Sequence, residues 1–414
     1  MLQLLLVIIY FAFISLGLPD ALLGAAWPSL YPSLGVPISY AGIIAMIISA
    51  GTIVSSLLSD RLNRRFGTGR ITAFSVSLTA IALLGFSLSS SFIQLCFWAI
   101  PYGLGAGSVD AALNNYVALH YESRHMNWLH CMWGVGASLG PYLMGLCLTH
   151  GWGWANGYRS VGVIQVVLSA VLFFTLPLWK QADTQLPAAK SEEKSEKTSE
   201  GKLEKKPAST TGLSTILSLP GAKAILLCFF CYSALEATVG LWASSFLSLA
   251  IDVDPEMAAG FAGLFYLGIT GGRAVSGFLS LRFDDDALIR GGLLTIGIGL
   301  VFLGMSLFCG MLWANHAESL PTMLALIGLV LMGLGCAPIY PGIIHSTPAH
   351  FGEAHSQAMI GMQMACAYVG SCFLPPLFGV LARSLSVSLL PLYVLILLAL
   401  MAWTHRRVLR ATAV

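Results

Sequence analysis

Residues 103–115 read GLGAGSVDAALNN, and this stretch decides the fold because it places a carboxylate inside a long apolar run. The run covers residues 92–119, which is long enough for a helix to cross a bilayer. At helical spacing Gly107, Asp110 and Asn114 share one face, and the glycines of the stretch let another backbone approach closely. A carboxylate facing lipid would cost roughly 2.5–3.5 kcal/mol or more, so Asp110 is expected to face a neighbouring helix or a cavity.

The composition is typical of a polytopic membrane protein. Of the 414 residues, 57% are hydrophobic and 10% are charged, whereas a soluble protein carries about 25% charged residues. This difference excludes a soluble enzyme. The cysteines lie in apolar runs, so we interpret the CxxC pair Cys228 and Cys231 as small packing residues. The first apolar segment lacks a basic region before it and is expected to be a spanning helix rather than a removed signal peptide.

Apolar runs of about 20 residues recur along the chain and predict about twelve transmembrane helices. A stretch rich in Lys, Glu, Ser and Pro interrupts the series and is typical of a disordered linker. The expected organisation is an N-terminal six-helix bundle in residues 1–180, a cytoplasmic linker in residues 181–215 and a C-terminal six-helix bundle in residues 216–414. Lys and Arg are concentrated in alternate loops and in the linker, so both termini are expected to be cytoplasmic.

Short motifs repeat between the two halves at an offset that grows smoothly from about 216 to about 235 residues. DALLG, which begins at Asp20, is matched by EATVG, which begins at Glu236. GLG at Gly103 is matched by GLG at Gly333. A duplication followed by small insertions produces such an offset. Two similar bundles around a central pathway are a known transporter plan, so the fold class is predicted to be an all-α membrane protein of two pseudo-symmetric bundles.

Residues 56–65, SLLSDRLNRR, resemble the loop between helices 2 and 3 of the major facilitator superfamily, usually G-x-L-x-D-R-x-G-R-R. Ser56 and Asn63 replace two glycines of that pattern, while the acid and the arginines are retained. In that superfamily the loop locks the cytoplasmic gate through charge pairs and a helix end. The residues to which the resemblance assigns this role are Asp60, Arg61, Arg64 and Arg65.

Within the superfamily the chain resembles the fucose–galactose–glucose:proton symporter family. Residues 105–114, GAGSVDAALN, resemble its helix 4 segment, where a glutamate stands at the position of Asp110, and Asp20 falls where that family has a helix 1 aspartate. The resemblance implies the fold of the superfamily and proton-coupled uptake of a sugar or polyol by a monomer in the inner membrane. Asn115 and Glu236 depart from that family and leave the identity of the sugar open.

Three carboxyl groups inside predicted helices are the candidates for proton coupling, namely Asp20, Asp110 and Glu236. A carboxyl group in a low-dielectric environment holds a proton more readily than one in water. Each group can therefore bind and release a proton as a central cavity opens to either side. Each also has a structural interpretation, as an acid satisfied by amides or water or as a hydrogen bond between the halves.

Amides and aromatic rings near these acids suit a polyol. Amides can grip vicinal hydroxyls with a donor and an acceptor together, and ring faces pack on the C–H face of a pyranose. The expected substrate-binding residues are Asn114, Asn115, Asn127, Trp27, Trp133, Trp242, Tyr266, Tyr340 and Gln363. Each ring is equally compatible with helix packing or with anchoring at the membrane interface.

Residues 136–145, GASLGPYLMG, also resemble the helix 5 glycine–proline signature of proton-coupled drug exporters. An antiporter that exports a drug, siderophore or metabolite is therefore the alternative function. The same residues have a simpler interpretation, because a close helix crossing needs small side chains.

Other kinds of site find little support in the sequence. Histidines recur at five-residue spacing, as at His120, His125 and His130, which does not keep one helical face, and HExxH is absent, so no metal is expected. His130 is instead a candidate for a proton path. No phosphate-binding loop, nucleophile–base pair or nucleic-acid motif is found, so no cofactor, enzymatic activity or nucleic-acid partner is expected. The expected partners are a small-molecule substrate, protons and the lipid bilayer.

Overall fold

The computed structural model describes residues 2–121, 123–179, 213–312 and 319–412, and these residues are helical apart from short connections. The predicted linker lies outside the described residues as far as residue 212. The helices of the first half are α1 (Leu2–Asp20), α2 (Leu22–Ser33), α3 (Tyr40–Phe66), α4 (Thr68–Leu88), α5 (Phe92–His120), α6 (Ser123–Thr149) and α7 (Gly153–Phe174). Those of the second half are α8 (Leu213–Ser218), α9 (Ala222–Ala250), α10 (Pro255–Leu279), α11 (Asp285–Leu312), α12 (Ser319–Cys336), α13 (Ile339–Phe351), α14 (Glu353–Ser384) and α15 (Leu390–Thr412).

Ten helical segments of the described chain are long and apolar enough to cross a membrane by length and composition. α1 and α2 together form one of them, at Gln3–Ser33, and α12 and α13 form another, at Ser319–Phe351. α3 has a shorter apolar part, Tyr40–Ser56, and α10 is the remaining long helix. These ten segments, α3 and α10 make up the twelve predicted spans, and the prediction of an all-α membrane protein is confirmed.

The first and tenth spans are each broken beside a proline. α1 contains Pro19 and ends one residue later, and α2 begins at Leu22. α12 ends at Cys336, and Pro338 is the N-cap residue of α13. Proline has no N–H to donate to the preceding turn, so it leaves a carbonyl free and weakens the helix at that point. In the first span, the break places Asp20 at the junction of two helices.

The two parts of the first span pack against different halves of the molecule. α1 packs mainly on α6, whereas α2 packs mainly on α9 and α10 of the second half. A Cβ added at Gly24 in α2 would lie 2.6 Å from the carbonyl oxygen of Gly240 in α9, so only glycine permits this backbone contact. Beside it, Ser244 Oγ donates to the carbonyl oxygen of Ala25 at 3.3 Å. The glycines that end the two repeated motifs thus meet each other at the interface between the halves.

The GLG repeat marks one helix crossing that occurs in both halves. A Cβ on Gly103 of α5 would lie closer than 3.0 Å to the carbonyl oxygen of Ile48 in α3. A Cβ on Gly333 of α12 would lie equally close to the carbonyl oxygen of Phe265 in α10. The fourth span therefore packs on the second in each half, at matched positions of the repeat. In α9, Cys228 and Cys231 are unpaired and buried among other helices.

Candidate functional site

A cavity of about 900 Å³ lies between the two halves. It is lined from α1, α2, α3, α5 and α6 of the first half and from α9, α10, α13 and α14 of the second. These helices are the first, second, fourth and fifth spans of each half. Among the described residues, α4, α7, α11 and α15 contribute nothing to the lining. The cavity is large enough for a small organic solute.

The residues that line the cavity lie in the middle part of the spans that contribute them. At one end its lining includes Leu23 and Pro375, where α2 meets α9 and α3 meets α14. At the other end the lining reaches Ser56 of α3, Asn114 of α5 and Ile360 of α14. The halves pack closely at the first of these ends, since a Cβ added at Gly42 in α3 would lie 2.6 Å from the Cα of Pro376 in α14.

Asp20 lies at the break of the first span and accepts two hydrogen bonds. Tyr102 Oη in α5 donates to Oδ1 at 3.1 Å, and Trp133 Nε1 in α6 donates to Oδ2 at 2.8 Å. Both donors are neutral, so dipoles rather than a cation stabilise the ionised form of Asp20. The residue is exposed, and its exposed surface faces the cavity. A proton in the cavity can therefore reach the carboxylate.

Asp110 faces the same cavity from α5. Its Oδ1 accepts a hydrogen bond from Asn114 Nδ2 at 2.8 Å, and the same amide donates to the backbone oxygen of Asp110 at 3.0 Å. Asn114 also lines the cavity, so the acid and the amide lie on one helix face, as the spacing predicts. The amide orients the carboxylate without a cation.

The second half contributes Glu236 from α9 and Arg273 from α10 to the cavity wall. Arg273 Nη1 donates to the carbonyl oxygen of His130 in α6 at 3.2 Å. The central guanidinium carbon of Arg273 lies 5.3 Å from the centre of a Trp133 ring, which is within the range of a cation–π interaction. Arg273 was not among the site residues predicted from the sequence. The available signal was a basic residue in the middle of a predicted spanning helix, where cations are rare.

Trp133 connects an acid of the first half to the cation of the second. Its indole N–H is donated to Asp20, while its ring lies beside the guanidinium of Arg273. The ring of Tyr266 meets the Trp133 ring nearly edge-on, with centroids 6.1 Å apart. Asp20, Trp133 and Arg273 form a continuous series of contacts across the interface.

The remaining predicted contact residues fall into two groups. Those that line the cavity are Asn114, Trp133, Tyr266 and Tyr340. Trp27, Trp242 and Gln363 are fully buried outside its lining. Trp27 Nε1 donates to a backbone oxygen at 2.7 Å and Trp242 Nε1 to another at 2.9 Å, while the Gln363 amide is bonded to a hydroxyl of α13. In this conformation their polar groups are used in helix packing.

Several predicted residues have side chains outside the described part of the structure, namely Asn115, Asn127, Asp60, Arg61 and Arg64. Their roles stay predictions. Arg65, at the end of α3, is exposed, and its guanidinium carbon lies 5.4 Å from the centre of the Phe66 ring. His130 lines the cavity and holds Arg273 through its backbone oxygen. Within the described residues, no group of His, Cys, Asp and Glu side chains could hold a metal ion.

Comparisons with known sequences point to transporters. The family model of the Major Facilitator Superfamily matches residues 9–314. "Bypass of stop codon protein 6" of Saccharomyces cerevisiae is 23% identical over 409 residues, which cover 95% of this chain and 80% of the yeast protein. The "4-hydroxybenzoate transporter PcaK" of Acinetobacter baylyi is 23% identical, over 75% of this chain and 70% of that protein. The "Cis,cis-muconate transport protein" of the same organism is 28% identical, over 42% of this chain and 44% of its own length.

A comparison with solved structures supports the same fold. A bacterial homologue of the human lysosomal transporter Spinster, crystallised in an inward-facing and occupied conformation, superposes with a TM-score of 0.67. The superposition covers 99% of this chain and 97% of that one at 12% sequence identity. At this identity the similarity concerns the fold alone. The sequence relatives do not point specifically to fucose permease, so the narrower resemblance found in the sequence is not supported.

Proposed function

Since the chain belongs to the Major Facilitator Superfamily, we propose that it is a proton-coupled transporter that carries a small polar solute through the central cavity by alternating access. That it is a multi-pass secondary transporter and not an enzyme follows from the family. The proposal adds three properties to this family assignment, namely proton coupling, inward transport and location in the inner membrane. Both termini and the linker would lie in the cytoplasm.

The observation that carries the proposal is the position of two acids, Asp20 and Asp110, in the cavity wall. When Asp20 is ionised, its two oxygens accept hydrogen bonds from Tyr102 and Trp133. When a proton binds, the carboxyl group loses its charge and gains an O–H donor, so it becomes a weaker acceptor for these hydrogen bonds. Proton binding therefore changes how α5 and α6 are held to the junction of α1 and α2. This is a direct link between proton occupancy and helix packing.

Uptake of a sugar or polyol is one form of this function. The rings of Trp133, Tyr266 and Tyr340 offer faces for a pyranose, and Asn114 supplies an amide. That amide already donates to Asp110. The described cavity thus offers a sugar more ring surface than free amide groups.

The alternative of export rested on the glycine–proline stretch of α6. Gly136 and Gly140 lie against the carbonyl oxygens of Ile14 and Leu18 in α1. A close helix crossing is sufficient to account for these small residues. The stretch therefore carries no indication of direction, and uptake rather than export is part of the proposal.

The experiment uses proteoliposomes with an imposed pH gradient, with D-glucose and 4-hydroxybenzoate as labelled probes and protein-free liposomes as the passive baseline. Asp110→Asn should abolish gradient-driven accumulation of the transported probe while it keeps counterflow exchange, because translocation remains and proton binding is lost. The control is Asp254→Asn, at an exposed position before α10, which should behave as wild type. Accumulation by Asp110→Asn at the wild-type level would contradict the proposal.

A further inference from the structure

Arg273 is the only Lys or Arg among the described residues of the cavity lining. We propose that it binds the carboxylate of a small organic acid whose body is flat and unsaturated or aromatic. The inference rests on the proposed function and specifies its substrate class. It departs from the neutral sugar expected from the sequence.

The guanidinium of Arg273 retains donors for a ligand. Nη1 donates to the carbonyl oxygen of His130, and none of the described acidic side chains forms a salt bridge with Arg273. A guanidinium has five N–H donors in a fork that matches a carboxylate. A cation inside a membrane-spanning helix is costly unless it is paired. An anion that enters the cavity would supply the missing partner.

The surroundings of Arg273 suit a flat body. Trp133 lies beside the guanidinium, and Tyr266 meets Trp133 edge-on. Tyr340 and Tyr368 add two further rings to the lining from α13 and α14. Planar unsaturated groups pack on such rings in offset or edge-to-face arrangements. Two of the relatives are named for transport of 4-hydroxybenzoate and cis,cis-muconate, both of which have a carboxylate on a flat unsaturated body.

An acid substrate also explains why three carboxyl groups line the same cavity. Asp20, Asp110 and Glu236 would repel an anion when they are ionised, and each bound proton removes one negative charge. Binding of the proton and binding of the anion therefore favour each other, and by linkage the effect is reciprocal. A neutral sugar would gain nothing from this neutralisation. The charges of the cavity thus match co-transport of an anion with protons.

Trp133 provides a physical connection between the two events. Its N–H holds Asp20, and its ring supports Arg273. When a proton binds to Asp20, the hydrogen bond from Trp133 weakens because the acceptor loses its charge. The indole is then free to adjust beneath the guanidinium. Proton binding in the first half can thereby alter the anion site in the second.

The test compares two probes that differ in charge but have the same shape. Binding of 4-hydroxybenzoate and 4-hydroxybenzamide to the purified full-length chain is measured by calorimetry at pH 6. The carboxylate should bind at least about tenfold more tightly than the amide, because the amide offers no charge to the guanidinium. Equal affinity for the two probes would overturn the inference.

Variants of Arg273 test the residue itself. Arg273→Gln should lower the affinity for 4-hydroxybenzoate about tenfold or more and leave that for 4-hydroxybenzamide unchanged. Arg273→Lys keeps the charge and loses the fork, so it should give an intermediate affinity and also tests the proposal if the glutamine variant fails to fold. The control is Arg282→Gln, at an exposed position just beyond α10. Wild-type affinity for the carboxylate in both Arg273 variants would overturn the inference.

Transport assays separate this inference from the proposed function. If D-glucose drives proton entry into proteoliposomes and 4-hydroxybenzoate does not bind, the proton-coupled function stands and the carboxylate site is wrong. If 4-hydroxybenzoate binds through Arg273 and exchanges by counterflow without moving protons, the carboxylate site stands and proton coupling is wrong. Binding and proton entry that both require the carboxylate group support the two proposals together.

Discussion

The two halves of the molecule share a helix plan and differ in the charges that they present to the cavity. Matched glycines, Gly103 and Gly333, make the same crossing between the fourth and second spans of each half. The first half lines the cavity with two acids, and the second lines it with Glu236 and Arg273. Backbone packing limits what can stand at the glycine positions, whereas a cavity wall accepts many side chains. The helix packing is therefore similar in the two halves, whereas the charged side chains that they present to the cavity differ.

Asp20 and Glu236 occupy equivalent positions of the repeat, so they provide the strongest test of this asymmetry. Asp20→Asn should abolish proton-driven accumulation, on the order of a hundredfold loss in initial rate, because the residue lies at a helix break with two donors aimed at it. Glu236→Gln, in the continuous helix α9, should lose about tenfold or less. Both rates are measured in proteoliposomes under the same gradient.

Counterflow exchange is the control for both variants, since it requires a folded transporter and no proton gradient. An equal loss of accumulation in the two variants would contradict the asymmetry. Such a result would mean that Asp20 and Glu236 are equivalent proton sites, just as Gly103 and Gly333 are equivalent packing positions.

The indole of Trp133 should have two separable roles, since its N–H holds Asp20 of the first half and its ring lies beside Arg273 of the second. Trp133→Phe removes the N–H that is donated to Asp20 and keeps a ring beside Arg273, so it should lower the accumulation ratio several-fold with little change in probe affinity. Trp133→Ala removes both contacts and should impair both quantities. Tyr102→Phe, which removes the other donor to Asp20, is the matched comparison. A loss of affinity in Trp133→Phe as large as that in Trp133→Ala would contradict the division.

The shared scaffold predicts similar stability losses in the two halves. Gly103→Val and Gly333→Val each force a side chain against a backbone carbonyl of the neighbouring span, so each should destabilise the protein by about 1–3 kcal/mol. Thermal unfolding of the purified protein measures the effect. Gly304→Ala, in α11, brings the added Cβ within 4 Å of no neighbouring helix, so it should not destabilise the protein and should stabilise it slightly through the higher helix propensity of alanine. A loss of stability in only one of the two valine variants would show that the GLG repeat does not mark equivalent crossings.

The smallest expected effect concerns a cluster of charges where α11 begins. His350 Nε2 lies 3.3 Å and His405 Nε2 lies 3.8 Å from carboxylate oxygens of Asp286, so that this residue links α11 to α13 and α15. Asp286→Asn should lower the free energy of unfolding by about 1 kcal/mol or less, because the carboxylate is partly exposed. Thermal unfolding measures the change, with the exposed Asp254→Asn as the control. A larger loss would show that the end of the second half depends on this cluster more than its exposure predicts.

Contacts within one helix could be predicted from the sequence, and contacts between helices could not. Asp110 and Asn114 are four residues apart, so helical geometry alone brings the amide to the carboxylate. Trp133 and Tyr102 reach Asp20 from 113 and 82 residues away, and no local pattern indicates such a pair. The all-α membrane class needed only the length of the apolar runs, and the two-bundle organisation needed the motifs repeated between the halves.

The orientation of each spanning helix was also beyond the sequence. In a soluble protein, polar residues mark the outer face of a helix, but in a membrane both lipid and the protein interior are apolar. Trp27, Trp133 and Trp242 all lie within apolar runs, so the sequence does not tell them apart. The structure shows that the Trp133 ring lines the cavity and that the other two pack between helices. Arg273 was not among the predicted site residues, although it is a basic residue within a predicted spanning helix.

The interrupted first span has a mechanical consequence. α1 moves with the first half because it packs on α6, and α2 is attached to α9 and α10 of the second. If one half rocks against the other, the chain has to bend at the junction of α1 and α2. This junction is at Asp20. Such a bend would coincide with an ionisable group, and a hydrogen ion on Asp20 would weaken the two hydrogen bonds that hold this junction.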